Sequence, residues 1–150
     1  MKVKLLHEDD GQRTFALVFD SGDSVLDLLR AFATQEKLSG AQFTAIGAFS
    51  AVSAGLFRLG EEGLCRARLC RTGRGRLADR RRRPRARRRP AIHVHCVLGR
   101  SDYSALAGHL LKATVRPTLE LVLTESPDHH RKKNKATSGL ALIDLDSSPE

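Results

Sequence analysis

The sequence predicts an α+β domain in which one long helix packs on a mainly antiparallel β-sheet. Two patterns lead to this fold class. One segment repeats its apolar residues with helical spacing, and several short segments are rich in β-branched residues or alternate between apolar and polar residues. The 150 residues are enough for one domain with one core, and the apolar content of 41% is that of an ordinary globular protein.

The predicted strands follow from period-two patterns and β-branched content. The first covers residues 13–19, where three apolar residues share one face: Phe15, Leu17 and Phe19. The second, residues 41–49, is apolar on both faces and rich in small residues, which is typical of a central strand with a closely packed neighbour. Three more strands are predicted at residues 91–98, 118–124 and 139–145, with a turn at 99–102 and a polar loop at 125–138.

A single amphipathic helix is predicted from Val25 to about Lys37. Residues 20–24 form the turn before it, in which Asp23 or Ser24 is expected to accept hydrogen bonds from the first helix amides. Ser39 and Gly40 are expected to close the helix. Its apolar residues recur at i, i+3, i+4 and i+7, as Val25, Leu28, Leu29 and Phe32 do.

Several classes of protein are excluded by composition. No apolar run is long enough to span a bilayer, and the first ten residues turn acidic where a signal peptide needs an apolar segment. Cys65, Cys70 and Cys96 cannot all pair within one chain, and their spacing does not make a zinc ribbon. We therefore expect a cytoplasmic protein with free thiols.

The net charge of +9 is concentrated in one stretch. Residues 64–90 contain 13 of the 26 basic residues and one of the 17 acidic residues, so the rest of the chain has three more acidic than basic residues. The charge of the whole chain therefore indicates nucleic-acid binding only if this stretch is an exposed part of the protein.

Six segments together resemble the PPC domain family (plant and prokaryote conserved), in order and spacing as well as in residue type. They are residues 13–23, 43–49, 90–95, 108–110, 116–121 and 139–142. The resemblance implies a single PPC domain over residues 13–145, with an N-terminal extension at 1–12 and a C-terminal tail at 146–150. It also implies a homotrimer of the stand-alone prokaryotic type. Because plant members carry AT-hook DNA-binding segments, it further implies a DNA-binding or regulatory module rather than an enzyme.

The chain departs from the family pattern at residues 55–90, and three interpretations of this segment are open. The arginines could contact phosphates of DNA, although residues 83–85 (Arg-Pro-Arg) lack the glycine of an AT-hook. The candidate nucleic-acid-binding residues are Arg80, Arg81, Arg82, Arg83, Arg85, Arg87, Arg88 and Arg89. Alternatively, the segment is a disordered insertion, because its like charges repel one another.

The third interpretation is a frameshifted stretch that begins near Gly55 and is restored near Pro90. Codons can be chosen for residues 56–64 and 68–82 that encode different segments when they are read one base later. The first segment is the start of a strand with aromatic residues, and the second is a strand with alternating residues that ends in Gly-Asp. The family pattern has these features here, so this interpretation fits the resemblance best. An arginine-rich replacement leaves a sheet edge and apolar surface uncovered, which predicts poor solubility or incomplete assembly.

Three histidines are candidate metal ligands. His93 and His95 are two residues apart on a predicted strand, so their side chains share one face. The resemblance places residues 108–110 beside this strand, which makes His109 the third ligand. Imidazoles bind zinc and other divalent transition metals, and three of them leave one open position. The alternative is that these histidines are hydrogen-bonded polar residues at a subunit interface.

Other candidate groups carry weaker signals. Glu120 could be a fourth ligand or an ion-pair partner of Arg116, whereas His129 and His130 are expected in a solvated loop. The sequence has no Ser-His-Asp order, phosphate loop or dinucleotide fingerprint. A binding module is therefore the first hypothesis, and a metal-dependent small-molecule binder or enzyme is the alternative.

Overall fold

The computed structural model describes residues 1–57, 64–69, 76–77, 90–126, 132–134 and 141–143. Its elements in chain order are β1 (Lys2–Asp9), β2 (Gln12–Phe19), α1 (Val25–Gln35), β3 (Ala41–Phe57), β4 (Leu64–Leu69), β5 (Arg76–Leu77), β6 (Ile92–His93), β7 (His95–Gly99), β8 (Ala105–Glu125), β9 (Lys132–Asn134) and β10 (Ala141–Ile143).

The main sheet has the strand order β1-β2-β8-β3-β4, and β7 is a sixth strand that pairs with β8. Strands β5 and β6 form a separate pair, as do β9 and β10. Every strand pairing in the described part of the chain is antiparallel. The predicted fold class, one helix on a mainly antiparallel sheet, is confirmed.

Strand β8 is the longest element and organises the sheet. Along one edge it pairs with β3 from Glu125 back to His109. Along the other edge, its residues 105–109 pair with β7 and its residues 119–124 pair with β2. The two halves of β8 therefore have one common neighbour, β3, and one neighbour of their own.

The helix α1 covers the inner face of the sheet. Its buried residues include Leu29 and Phe32, and the ring of Phe32 meets the ring of Phe15 edge-to-face with centroids 5.2 Å apart. Nine large apolar side chains are almost completely inaccessible to solvent: Leu17, Phe19, Leu29, Val52, Leu98, Val115, Leu119, Leu121 and Leu123. Burial of this apolar surface is the main stabilisation of the fold.

The ends of the helix differ from the prediction. The Ser24 side chain makes no cap hydrogen bond, because its hydroxyl donates to Oδ2 of Asp27 at 2.6 Å. Asp23 instead accepts the backbone N–H of Asp20 at 3.0 Å. At the other end, the helix ends at Gln35, before the predicted stop at Ser39 and Gly40, and Lys37 takes the left-handed conformation (φ 55°).

The outer face of the sheet carries apolar residues that the helix does not cover. The register aligns Val18 and Ile46 on either side of Glu120, and Val122 lies two residues further along β8. Ile46 is 73% exposed, and Val18 and Val122 are exposed as well. Strand β3 is a central strand between β8 and β4, as predicted, although its outer face is exposed at Ile46. Its close packing is real, since a Cβ on Gly47 would lie 2.5 Å from the carbonyl oxygen of Thr118.

Several predicted boundaries differ from the structure. Residues 2–9 of the predicted N-terminal extension form the edge strand β1, which pairs with β2. The strand predicted at 91–98 is divided into β6 and β7 at Val94, and the strand predicted at 118–124 is only the last part of β8. Within the strand predicted at 139–145, the structure describes β10, which pairs with β9. Within the described residues, no helix has the length and apolar character needed to cross a membrane.

Candidate metal centre

Three histidines meet on the outer face of the β7–β8 hairpin, at the end away from its turn. His93 is the last residue of β6 and His95 is the first of β7, and the residue between them, Val94, is buried. This alternation puts both imidazoles on the exposed side. His109 is the register partner of His95 across the hairpin. The structure thus brings together the three histidines that the sequence singled out.

The imidazole nitrogens of the three residues converge. Their candidate ligand atoms all lie within 4.8 Å of one another, and Nε2 of His93 is 3.0 Å from Nε2 of His95. The ring centroids of His93 and His109 are 4.6 Å apart, and those of His95 and His109 are 5.2 Å apart. His93 and His95 are exposed and His109 is half-buried, so an ion or small molecule can reach the cluster from solvent.

The backbone behind the cluster is held in place by close packing. The amide of Leu110 donates to the carbonyl oxygen of Val94 at 2.8 Å, which links the turn between His93 and His95 to β8. A Cβ on Gly108 would lie 2.9 Å from the carbonyl oxygen of Gly55, so β3 and β8 approach closely beside His109. Only glycine fits there without a backbone shift.

The one cysteine whose side chain is described does not join the cluster. Cys96 follows His95, so it points to the opposite side and is buried in the core. Its thiol donates to the carbonyl oxygen of Gly108 at 3.6 Å, and burial raises the pKa of the thiol. It is a free cysteine, as predicted.

The geometry of the three histidines fits a zinc-like ion. Nitrogen ligands of tetrahedral zinc lie about 2.1 Å from the ion and so about 3.4 Å from one another. Small rotations of the imidazole rings bring nitrogens separated by 3.0 to 4.8 Å to that spacing. No other group of three or more potential ligands is found in the part of the chain that the structure describes.

Glu120 does not complete this centre within the same chain. It lies on β8 eleven residues beyond His109. At about 3.3 Å per residue, the two residues are too far apart to bind the same ion. The ion pairs of the described residues do not include one between Glu120 and Arg116 either. Both roles suggested for Glu120 therefore lack support.

A partly buried ion-pair cluster at the other end of β8 was not predicted. The Nε of Arg13 donates to Oε2 of Glu125 at 2.7 Å, and its Nη atoms bond the side chain and the carbonyl oxygen of Glu36 at 3.2 and 2.9 Å. Glu125 is only 8% exposed, and its hydrogen bond raises the pKa of Arg13. The cluster ties β2, β8 and the end of α1 together, so its role is structural.

The remaining predicted groups fall outside the described residues. These are the arginines expected to contact nucleic acid, Arg80 to Arg83, Arg85 and Arg87 to Arg89, together with Cys70, His129, His130 and the tail at 146–150. Their predicted roles stay predictions.

Comparison with protein families shows which family the chain belongs to. The model of the Plants and Prokaryotes Conserved (PCC) domain matches residues 6–67 and 81–127, which is most of the chain. The chain belongs to the PCC domain family. This is the family that the sequence segments resemble, also abbreviated PPC. The match is interrupted at residues 68–80, inside the arginine-rich stretch. No curated protein sequence matches the chain.

Several solved structures of other proteins share the fold. A plant- and prokaryote-conserved protein from Pyrococcus horikoshii is 21% identical, with a TM-score of 0.74 over 91% of this chain and 94% of that one. A "putative DNA-binding protein" from Ralstonia eutropha JMP134 is 23% identical, with a TM-score of 0.75 over 87% and 90%. A "metal-containing protein" from Archaeoglobus fulgidus is 20% identical, with a TM-score of 0.71 over 95% and 99%. At these identities the likeness shows the fold alone.

Proposed function

We propose that this chain is a metal-binding PCC-domain module that holds zinc or another divalent transition metal through His93, His95 and His109. The observation that carries the proposal is the convergence of three imidazoles within 4.8 Å on an exposed face of the hairpin. Three nitrogen ligands with one open position are typical of centres that bind or activate a further ligand. The similar fold of a metal-containing archaeal protein supports the proposal.

Metal analysis of the purified protein tests this function. We expect about one equivalent of metal per chain after reloading with zinc and removal of excess ion. His95→Ala should lower the affinity at least about 100-fold, because loss of even an outer-shell partner costs about 10- to 100-fold. His7→Ala, an exposed histidine on β1, is the matched control and should bind as the wild type does. Equal metal content in all three proteins would refute the assignment.

The module is proposed to act as a homotrimer. The number of subunits comes from the family resemblance, and the uncovered apolar residues on the outer face of the sheet support a subunit interface there. Ile46→Asp should therefore reduce the mass measured by light scattering from that of three chains toward one. Tyr103→Lys, which changes a side chain that is 98% exposed at the hairpin turn, should leave the mass unchanged. A wild-type protein with the mass of a single chain would refute the trimer.

A second candidate function is DNA binding by the arginine-rich stretch in the cytoplasm. Two facts favour it, namely the 13 arginines in residues 64–90 and the description of a protein of similar fold as a putative DNA-binding protein. The described residues outside that stretch carry no excess of basic side chains, so the arginines would have to supply the phosphate contacts. A mobility shift that weakens steeply between 50 and about 200 mM salt and vanishes on deletion of residues 80–89 is expected. A shift that survives the deletion would refute this function for the arginines.

A further inference from the structure

The surface next to the three histidines is apolar and small. On the outer face of the β7–β8 hairpin, the rung of His95 and His109 is followed by the rung of Val97 and Ala107. Val97 is 52% exposed and Ala107 is exposed, although neither is needed to cover the core. Successive same-face positions on a strand are about 6.6 Å apart. A group bound at the histidines can therefore lie across Val97 within a few bond lengths.

The donor set determines the charge of ligand that the centre would accept. All three donors are imidazoles, which bind metals as neutral groups and so contribute no negative charge. A divalent ion held by them keeps a net positive charge and, if tetrahedral, has one position left for an external ligand. An anionic oxygen complements this charge better than a neutral donor does.

We propose that the metal centre takes a small organic anion, a carboxylate with a short apolar chain. Its oxygen fills the open position, and its chain lies on Val97 and Ala107. This inference rests on the proposed metal site and adds the class of ligand. Val97 and its register partner Ala107 form an exposed apolar patch between the histidines and the hairpin turn, which we call the shelf. Neither Val97 nor Ala107 carries a charge, so these two residues offer apolar contact alone.

Calorimetric titration of the zinc-loaded protein with acetate, butyrate and hexanoate at constant ionic strength tests the inference. We expect the affinity to rise about twofold to fourfold for each added CH₂, because each is partly removed from water. The cobalt-loaded protein should show a change in its visible spectrum with each anion, which reports that the oxygen binds the metal. Val97→Thr keeps the side-chain size but replaces one methyl group with a hydroxyl, and it should reduce the gain in affinity from acetate to hexanoate by about twofold to fourfold.

The controls separate this inference from the metal site itself. Val97→Thr should leave the affinities for zinc and for acetate unchanged, and Val3→Thr, a matched change at a residue of β1 that is 45% exposed, should leave every affinity unchanged. Equal affinities for acetate and hexanoate would overturn the apolar shelf while leaving the metal site in place. A second copy of this chain that covers Val97 would also give equal affinities for acetate and hexanoate, and it would overturn the shelf in the same way. Failure to take up zinc or cobalt would overturn the metal site and the shelf together.

Discussion

In the first half of β8, residues 105–109 pair with β7 on one edge and residues 109–115 pair with β3 on the other, whereas the second half, residues 119–125, lies between β2 and β3. Both halves pack apolar side chains inward against α1 and the rest of the core. Their outer faces differ. The first half presents His109 beside two other histidines, and the second half presents Glu120 and Val122 between the exposed apolar residues Val18 and Ile46.

One strand therefore carries a candidate ligand site at one end and a candidate subunit interface at the other. A glycine lets β3 and β8 approach closely beside each half of β8. In the first half it is Gly108 on β8 itself, and beside the second half it is Gly47 on β3. The second half is further fixed by the Arg13–Glu125 ion pair. If this division is correct, substitutions in the second half change stability, and substitutions in the first half change metal binding.

The largest effect is expected for Gly47→Ala. The added Cβ would meet the carbonyl oxygen of Thr118 at 2.5 Å and the Cα of Leu119 at 2.6 Å, and neither backbone atom can move without disturbing β8. Overpacking of this kind should lower the free energy of unfolding by about 3 kcal/mol, measured by urea denaturation. Zinc affinity of the folded fraction should be unchanged. A stability within about 0.5 kcal/mol of the wild type would contradict the close packing.

Arg13→Met should have the next largest effect. It leaves the carboxylate of Glu125, which is nearly buried, without its guanidinium partner. We expect a loss of about 2 kcal/mol, less than for a fully buried pair because Arg13 is partly exposed. Arg30→Met removes the exposed pair with Asp27 and is the control, with an expected loss below about 0.5 kcal/mol. Equal losses in the two variants would show that the Arg13 cluster adds nothing to stability.

Gly108→Ala, in the first half of β8, should have a small effect on stability and a clear effect on zinc affinity. Its Cβ would approach a single backbone oxygen, that of Gly55, at 2.9 Å, so the loss of stability should be only about 1 kcal/mol. The backbone shift that makes room for this Cβ also moves the neighbouring residue His109. We therefore expect zinc affinity to fall at least about tenfold. Competition with a chromophoric chelator measures this. Unchanged zinc affinity together with lowered stability would mean that His109 is not a ligand.

The smallest effect is expected at the hairpin turn. The hydroxyl and the amide of Ser104 both donate to Oδ1 of Asp102, at 2.6 and 3.0 Å, and these bonds lower the pKa of that carboxyl. The resulting stabilisation is present above the ordinary pKa of an aspartate and is lost as the pH falls through the lowered value. Ser104→Ala should raise the pKa of Asp102 in an NMR titration and leave zinc binding unchanged. An unaltered pKa would show that the hydroxyl has no such influence.

The sequence predicts the elements with strong local patterns and misses those made by distant pairing. The period of two places His93 and His95 together, and the family resemblance adds His109, but no local signal shows that β8 begins at Ala105. Residues 105–117 include alanine, glycine, lysine and proline, which are poor strand formers, and pairing with β7 and then with β3 makes them a strand. The Arg13 cluster is hidden for the same reason, since Glu125 is 112 residues away.

The arginine-rich stretch shows where sequence reasoning leaves alternatives open. The family match stops at residue 67 and resumes at 81, so the departure lies within the segment interpreted as an arginine arm, a disordered insertion or a frameshifted stretch. Sequencing the gene from genomic DNA across residues 55–90 distinguishes them. A single-base slip would remove the main support for DNA binding, and a confirmed frame would make the arginine arm part of the protein.

X-ray absorption spectroscopy of the zinc-loaded protein tests the central claim most directly, because it counts the ligands of the ion and identifies imidazoles by their outer-shell scattering. We predict three imidazole nitrogens and one oxygen at about 2.0 to 2.1 Å, and two imidazoles in His109→Ala. Fewer than three imidazoles in the wild type, or sulfur in the first shell, would contradict the assignment of the β7–β8 hairpin as the metal centre.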